Sequence, residues 1–237
     1  MTIDVVVTVP EGIALSADTL VKNFKKTDAE PEAPPKLFHL VIDKKSYAVC
    51  IAGQGELKGE TVYSIFKSLE KTFNIENPAI DQITSYFVEG LKKRFQKKFD
   101  QEDIGNAVYC AVHFLFCGFE NNDLSKPIVQ EHIVFSGSYK DDGVENKTGH
   151  IIRTTNQGDN KYSAFAIGIK GEIKHLISRK DGQPPEESEN FQSMSLKEAS
   201  DYSNTLVGIM CEKDKDCGRP IRSVILTPNN YQEKIIS

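Results

Sequence analysis

Apolar residues run almost unbroken through 3–9 (IDVVVTV) and again through 12–18 (GIALSAD). The turn Pro10-Glu11-Gly12 between them predicts a β-hairpin. A polar stretch from about 22 to 35 (KNFKKTDAEPEAPP) then reads as a loop. Two further apolar runs, 36–42 (KLFHLVI) and 46–52 (SYAVCIA), flank Asp43-Lys44-Lys45 and predict a second pair of strands. The first 53 residues are therefore β-rich.

The period then changes. In 60–74, Val62, Ile65, Phe66, Leu69 and Phe73 recur at helical spacing. In 78–98, Ile80, Ile83, Phe87, Leu91 and Phe95 do the same, and Pro78 suits a first helical turn. Strands are predicted again at 106–118, 128–136, 148–154 and 162–168, followed by a short helix at 171–178 and a loop from about 179 to 194. The last helix opens on SLKE, where Ser195 and Glu198 match a capping box, and its apolar face is Leu196, Ala199, Leu206 and Met210. A strand at 221–227 (IRSVILT) closes the pattern. The order β, αα, β, α, β suggests antiparallel sheets with helices packed outside them, an α+β layered design. With no internal repeat and no long linker, residues 1–237 read as one domain.

Composition narrows the classes. The formal charge of -5 argues against nucleic acid as the main partner. The basic run LKKRFQKKF at 91–99 interleaves aromatics, but at helical spacing these face a core and the lysines coat a solvated face. No apolar run approaches the roughly 20 residues of a membrane span, and MTIDVVV has neither a basic n-region nor a long apolar h-region, so neither membrane nor export is expected. The five cysteines, Cys50, Cys110, Cys117, Cys211 and Cys217, show no CxxC spacing, which suits reduced thiols in a cytoplasm. His113 and His132 fall on predicted strands without a Cys/His/Asp cluster, so no metal and no cofactor are expected. Asn146-Lys147-Thr148 fits a glycosylation sequon, which means little without secretion.

The candidate chemistry begins at Thr2. Methionine aminopeptidases admit small second residues, and removing Met1 would expose a threonine with a free α-amine. That amine has a reference pKa of about 7.7–8.0, so it can act as a base to its own hydroxyl. A tight hairpin would return Asp18 to the start of the first strand, beside Thr2. A buried carboxylate needs a cation or hydrogen-bond donors. The α-ammonium and Lys36, at the start of the next strand, are the candidates. The plainer alternative has Asp18 capping a turn and Lys36 in solvent.

Taken in order, Thr2, Gly12, GIALSADT, the lysine of KLFHL and the AGQG at 52–55 resemble a proteasome β-type subunit, in a divergent bacterial-type form. That family has an N-terminal threonine, a GVVLAADS/T-like strand, a lysine and an AGG-like turn. HFLFCGFE at 113–120, AIGIKG at 166–171 and SLKEASDYSNTLVGIMCEKDKDCG at 195–218 are similar to its later GY/FD, GSG and RDxxSG segments. No single motif is specific, whereas the ordered set spans nearly the whole chain. The resemblance implies a four-layer αββα sandwich of two antiparallel sheets flanked by helices, the Ntn-hydrolase, proteasome-like fold. It implies Thr2 as nucleophile, Asp18 as the carboxylate orienting lysine and N-terminus, and Lys36 as the lysine that tunes the hydroxyl. Gly53 would supply the oxyanion N–H, and Asp214 the aspartate supporting the N-terminal threonine. Lys22 stands where the family pairs with substrate backbone. The chain departs from the family at Ile169 and Cys217, each in place of a serine near the amine, and at AGQ in place of AGG.

The function expected is a threonine-type hydrolase, a peptidase on extended peptides, with Ile51 lining the pocket for the residue before the cut. Two alternatives stand beside it: a non-catalytic subunit of a proteasome-like assembly, and a small-molecule amidase on the same core. The resemblance also implies stacked rings, hence a homo-oligomer.

Overall fold

The computed structural model describes residues 3–19, 33–57, 59–99, 110–137, 147–154, 162–167, 191–214 and 217–237. Its strands, in chain order, begin with β1 (Asp4–Val9), β2 (Gly12–Asp18), β3 (Leu37–Ile42), β4 (Lys45–Gly53), β5 (Glu56–Leu57) and β6 (Glu60–Thr61). Helices α1 (Val62–Thr72) and α2 (Ile80–Phe99) follow. Then come β7 (Cys110–Phe119), β8 (Pro127–Gly137), β9 (Lys147–Thr154), β10 (Ala164–Ile167), helix α3 (Leu196–Lys213), β11 (Ile221–Thr227) and β12 (Asn230–Ile236).

Two five-stranded sheets organise the molecule, both antiparallel in the pairings described. One has the order β10-β1-β2-β11-β12, the other β3-β4-β7-β8-β9. Successive side chains of a strand point to opposite faces, and both faces of β1 find apolar neighbours. Val6 packs with Leu15, Leu37, Cys50, Leu115 and Val224, residues drawn from both sheets. Val5 and Val7 pack with Leu206, Val207 and Met210 of α3. On the other sheet, Val49, Phe114 and Val134 pack with Phe66 of α1 and Phe87 and Leu91 of α2. Double-sided burial is why IDVVVTV reads as an unbroken apolar run rather than an alternating one.

Local chemistry sets several boundaries. The β3–β4 hairpin turns on Asp43 and Lys44 alone, at φ 48° and 63°, the backbone of a type I′ turn. Lys45 therefore belongs to β4, where it pairs with Ile42. Helix α1 begins at Val62 because Thr61 caps it, its side chain accepting from the Ser64 N–H. Helix α2 starts at Ile80, with the Ala79 carbonyl accepting from Gln82 and Ile83, so Pro78 precedes the helix instead of sitting in its first turn. The capping box of α3 is present in both halves: Glu198 N–H donates to Ser195 Oγ, and Ser195 N–H to Glu198 Oε2. The Ser195 hydroxyl, donating to Glu198 Oε2 at 2.7 Å, and then the Ser195 N–H hold the Glu198 carboxyl below its usual pKa.

Three elements escape the hydrophobic pattern. β12 is an edge strand with mostly exposed side chains (NYQEKII), so nothing in its periodicity marks it. The β5–β6 ribbon is two residues per strand, too short to show a period. Residues 106–109 and 171–178 lie outside the described residues, as do Thr2, Lys22 and Ile169.

Candidate active site

The register of the first hairpin brings the site together. Asp4 pairs with Ala17 and Val9 with Gly12, which sets Asp18 opposite Ile3, the residue bonded to Thr2. The Asp18 N–H donates to the Ile3 carbonyl at 3.1 Å, and the Ile3 N–H donates to Asp18 Oδ1 at 2.9 Å. Thr2 itself is outside the described residues, but its carbonyl carbon is covalently joined to that Ile3 nitrogen.

The second carboxylate oxygen, Asp18 Oδ2, accepts from Lys36 Nζ at 2.8 Å. Asp18 is fully buried and Lys36 8 % exposed. Lys36 lies one residue before β3, and its carbonyl accepts from the Ile51 N–H of β4 at 2.7 Å. Two charges out of water are costly unless paired and further hydrogen-bonded. Here the carboxylate has donors on both oxygens. Such a pair is weak evidence for stability and better evidence for a task.

Gly53, at the end of β4, has φ +85°, and a Cβ there would fall 2.5 Å from the Ala111 carbonyl oxygen. Only glycine fits. Beside it along the chain, Gln54 N–H donates to Ala111 O on β7, whereas Ile51 N–H donates to the Lys36 carbonyl; a Gly53 N–H continuing that alternation would point to the Lys36 side. Ile51 itself is 7 % exposed, its side chain in the core beneath α1 and α2.

A third segment arrives from the end of α3. Gly218 N–H approaches Asp18 Oδ2 at 3.4 Å, and the Gly218 carbonyl accepts from Thr19 N–H at 3.2 Å. Thr19 Oγ1 donates to the Pro220 carbonyl at 2.7 Å. Asp214 is the C-cap of α3 and belongs to the same turn, its carbonyl accepting from the Cys217 N–H at 2.9 Å. The Cys217 thiol is buried; burial first, then the charges of Asp18 and Asp214, push it up to about 12. At neutral pH it is a thiol, a weak donor and no base.

The structure thus brings Asp18, Lys36 and the turn carrying Asp214 and Gly218 to the residue that follows Thr2, while Gly53 lies two residues past the Ile51–Lys36 backbone bond. Two participants were not singled out from the sequence. Gly218 acts through its backbone, which leaves no side-chain signal. Asp4 is fully buried on the β1 face that also carries Val6, and among the described residues neither of its carboxyl oxygens has a hydrogen-bond partner. Burial, with the nearby Asp18 charge, raises its pKa well above the usual carboxylate range, and Lys36 opposes the rise. Its one signal in the sequence is an aspartate inside an apolar run. Among the described residues no group of three or more His, Cys, Asp or Glu could hold a metal ion, and no helix is long and apolar enough to cross a membrane.

Away from this site, His132 is buried on β8 in a chain of side-chain bonds. Gln130 Nε2 donates to Asp81 Oδ1 at 2.8 Å, and His132 Nε2 meets Gln130 Oε1 at 3.2 Å. His132 Nδ1 meets His150 Nε2 at 3.0 Å. With the Gln130 oxygen accepting, His132 Nε2 carries the proton, so its Nδ1 accepts from His150.

No family model matches the chain, and no curated protein matches it. Its solved structural neighbours include Anbu from Pseudomonas aeruginosa, described as a helical assembly of the Anbu complex. That structure has a TM-score of 0.65 and 11 % identity over 99 % of this chain and 86 % of that one. Anbu from Yersinia bercovieri, described as an ancestral beta-subunit, has a TM-score of 0.61 and 12 % identity, covering 99 % and 86 %. A Gly-1 mutant of Anbu from Hyphomicrobium sp. strain MC1 has a TM-score of 0.60 and 15 % identity, covering 100 % and 87 %. At these identities the likeness shows the fold. It also corrects the family suggested by the sequence resemblance: the likeness runs to Anbu, a different arrangement from the proteasome β-type subunit. The physical reason is that GIALSADT and AGQG meet the demands of a hairpin and a glycine turn. Those demands come from local backbone geometry, so meeting them does not tell one branch from another.

Proposed function

We propose that the chain is a threonine-type N-terminal-nucleophile hydrolase, acting on the carbonyl of an extended peptide through Thr2 after removal of Met1. The observation that carries this reading is the buried Asp18–Lys36 pair, with Asp18 also holding the backbone next to Thr2. In this reading the Thr2 α-amine takes the hydroxyl proton as Oγ attacks the carbonyl carbon. The Lys36 ammonium favours the alkoxide, and the Gly53 N–H donates to the oxyanion. Collapse breaks the amide bond, the leaving amine takes the proton back, and an ester remains on Thr2. Water, giving a proton to the α-amine, then attacks the ester carbon; the bond to Oγ breaks, the α-amine returns that proton to Oγ, and the acid leaves. Asp18 orients Lys36, and Asp214 supports the threonine from the turn after α3. Lys22 would offer its backbone to the substrate strand, and Ile51 would border the pocket for the residue before the cut.

The same reading gives the chain a four-layer order, α1 and α2, sheet, sheet, α3, supported by the three separate packing clusters. It places the chain in the cytoplasm, where its cysteines stay reduced. It also makes the chain a homo-oligomer, supported by exposed isoleucines on the edge strands, Ile151 and Ile152 of β9 and Ile235 of β12. The test is turnover of a peptide library by the mature chain. Thr2→Ala, or a blocked Met1 removal, should abolish it; cleavage surviving either change refutes the mechanism.

A second reading, an assembly subunit that does not cut, is favoured by Cys217, whose thiol at about 12 offers the amine little. Inactivity of the mature chain with normal oligomers would decide for it.

A further inference from the structure

We propose that Asp4 is a positioning residue of this site: a carboxyl that keeps its proton while Lys36 serves Asp18, and that draws Lys36 off Asp18 when the proton leaves. For its effect on turnover, and only there, the proposal rests on the hydrolase reading above.

Three observations carry it. Asp4 is fully buried, yet among the described residues neither carboxyl oxygen has a hydrogen-bond partner, and each such group in a folded protein calls for an explanation. It adjoins the site directly, being bonded to Ile3, whose N–H rests on Asp18. The groups whose charges it feels are those of the site: Asp18 and Lys36, with the thiols of Cys50 from β4 and Cys117 from β7 on the sheet opposite. Both thiols are themselves pushed up by burial and stay neutral. Among the described residues no cation is paired with Asp4, so the protonated form is the one its surroundings tolerate.

The consequence follows from donor counting. A lysine ammonium has three N–H donors. Among the described residues one is committed, to Asp18 Oδ2. While Asp4 is neutral it does not compete. Once a base in solution takes its proton, Asp4 becomes a second buried anion next to Asp18, and Lys36 is the one cation among the groups whose charges reach it. Lys36 must then divide itself between two carboxylates. No other bond is made or broken; the whole event is one deprotonation and a shift of one ammonium.

The experiment uses the full mature chain as wild type, Asp4→Asn and Asp4→Val. The asparagine keeps the shape without the charge, and the valine suits the apolar face and guards against a folding failure. The ¹⁵N signal of the Lys36 ammonium is followed from neutral to alkaline pH, with infrared detection of protonated carboxyl groups, and turnover is profiled over the same range. In the wild type the Lys36 signal shifts as the Asp4 carboxyl band disappears, and both variants lose that shift. Turnover of the wild type falls about tenfold per pH unit above the same transition, and the ratio of alkaline to neutral turnover rises in Asp4→Asn. An Asp4 already ionised at neutral pH, or a Lys36 signal that titrates alike in all three proteins, overturns the proposal. If Lys36 shifts as expected but no pH yields turnover, the coupling of Asp4 to Lys36 stands and the hydrolase reading falls.

Discussion

Asp18 and Lys36, 18 residues apart in sequence, meet at 2.8 Å with the carboxylate fully buried and the lysine nearly so. Removing one partner of a buried pair leaves an uncompensated charge and costs about 3–5 kcal/mol. Asp18→Asn and Lys36→Met should each destabilise on that scale in urea denaturation. The double variant removes both charges and should recover most of the stability while remaining inactive. Activity in the double variant would show that the pair serves the fold alone.

Gly53 permits a second prediction. At φ +85° with the Ala111 carbonyl 2.5 Å from the place of a Cβ, alanine must displace backbone. Gly53→Ala should cost about 1–3 kcal/mol and, if its N–H serves the oxyanion as proposed, lower kcat more than it raises KM. An equal change in KM alone would remove Gly53 from the mechanism.

Asp4 yields a stability test. Its pKa is raised on folding, so between the unfolded value and the raised folded value the native state binds more protons than the unfolded one. The contribution of Asp4 to stability is then full below about pH 4 and declines as pH rises. Asp4→Val should therefore have a higher Tm than the wild type at neutral pH, with the difference shrinking on acidification.

The histidine pair works in the opposite sense. Burial first, then His150, lower the His132 pKa to about 3, and burial lowers that of His150. Here the unfolded chain binds more protons than the native one, so stability is present above about pH 6.5 and is lost as pH falls toward 3. Across a 3.0 Å contact the two rings cannot both carry charge. His132→Phe, which keeps an aromatic ring against Phe114, should flatten the acid limb of a Tm-against-pH curve.

The meeting of Asp18 with Lys36 beside the chain's start could be read from sequence because it rests on short-range geometry. A hairpin of fixed register returns Asp18 to the chain's start, and the strand after the loop begins beside Lys36. The register differs in one detail: Asp18 faces Ile3, one residue beyond Thr2. What the pattern missed lacks a periodic signature. β12 is polar because it is an edge, and Gly218 works through its backbone. Asp4 sat in an apolar run where strand reading absorbs a single charge. The family went astray for a related reason: the quoted motifs report the fold's own constraints, and the structural likeness is to Anbu.

The central claim is that the hydroxyl of Thr2, freed at the start of the mature chain, reacts beside Asp18 and Lys36. The most direct measurement is the intact mass of the native protein before and after a threonine-directed electrophile, with the label mapped by peptide sequencing. The account predicts a chain lacking Met1, one label per chain on Thr2, and no label in Lys36→Met. Met1 retained on the native chain, or a mature Thr2 that stays unlabelled, would contradict it.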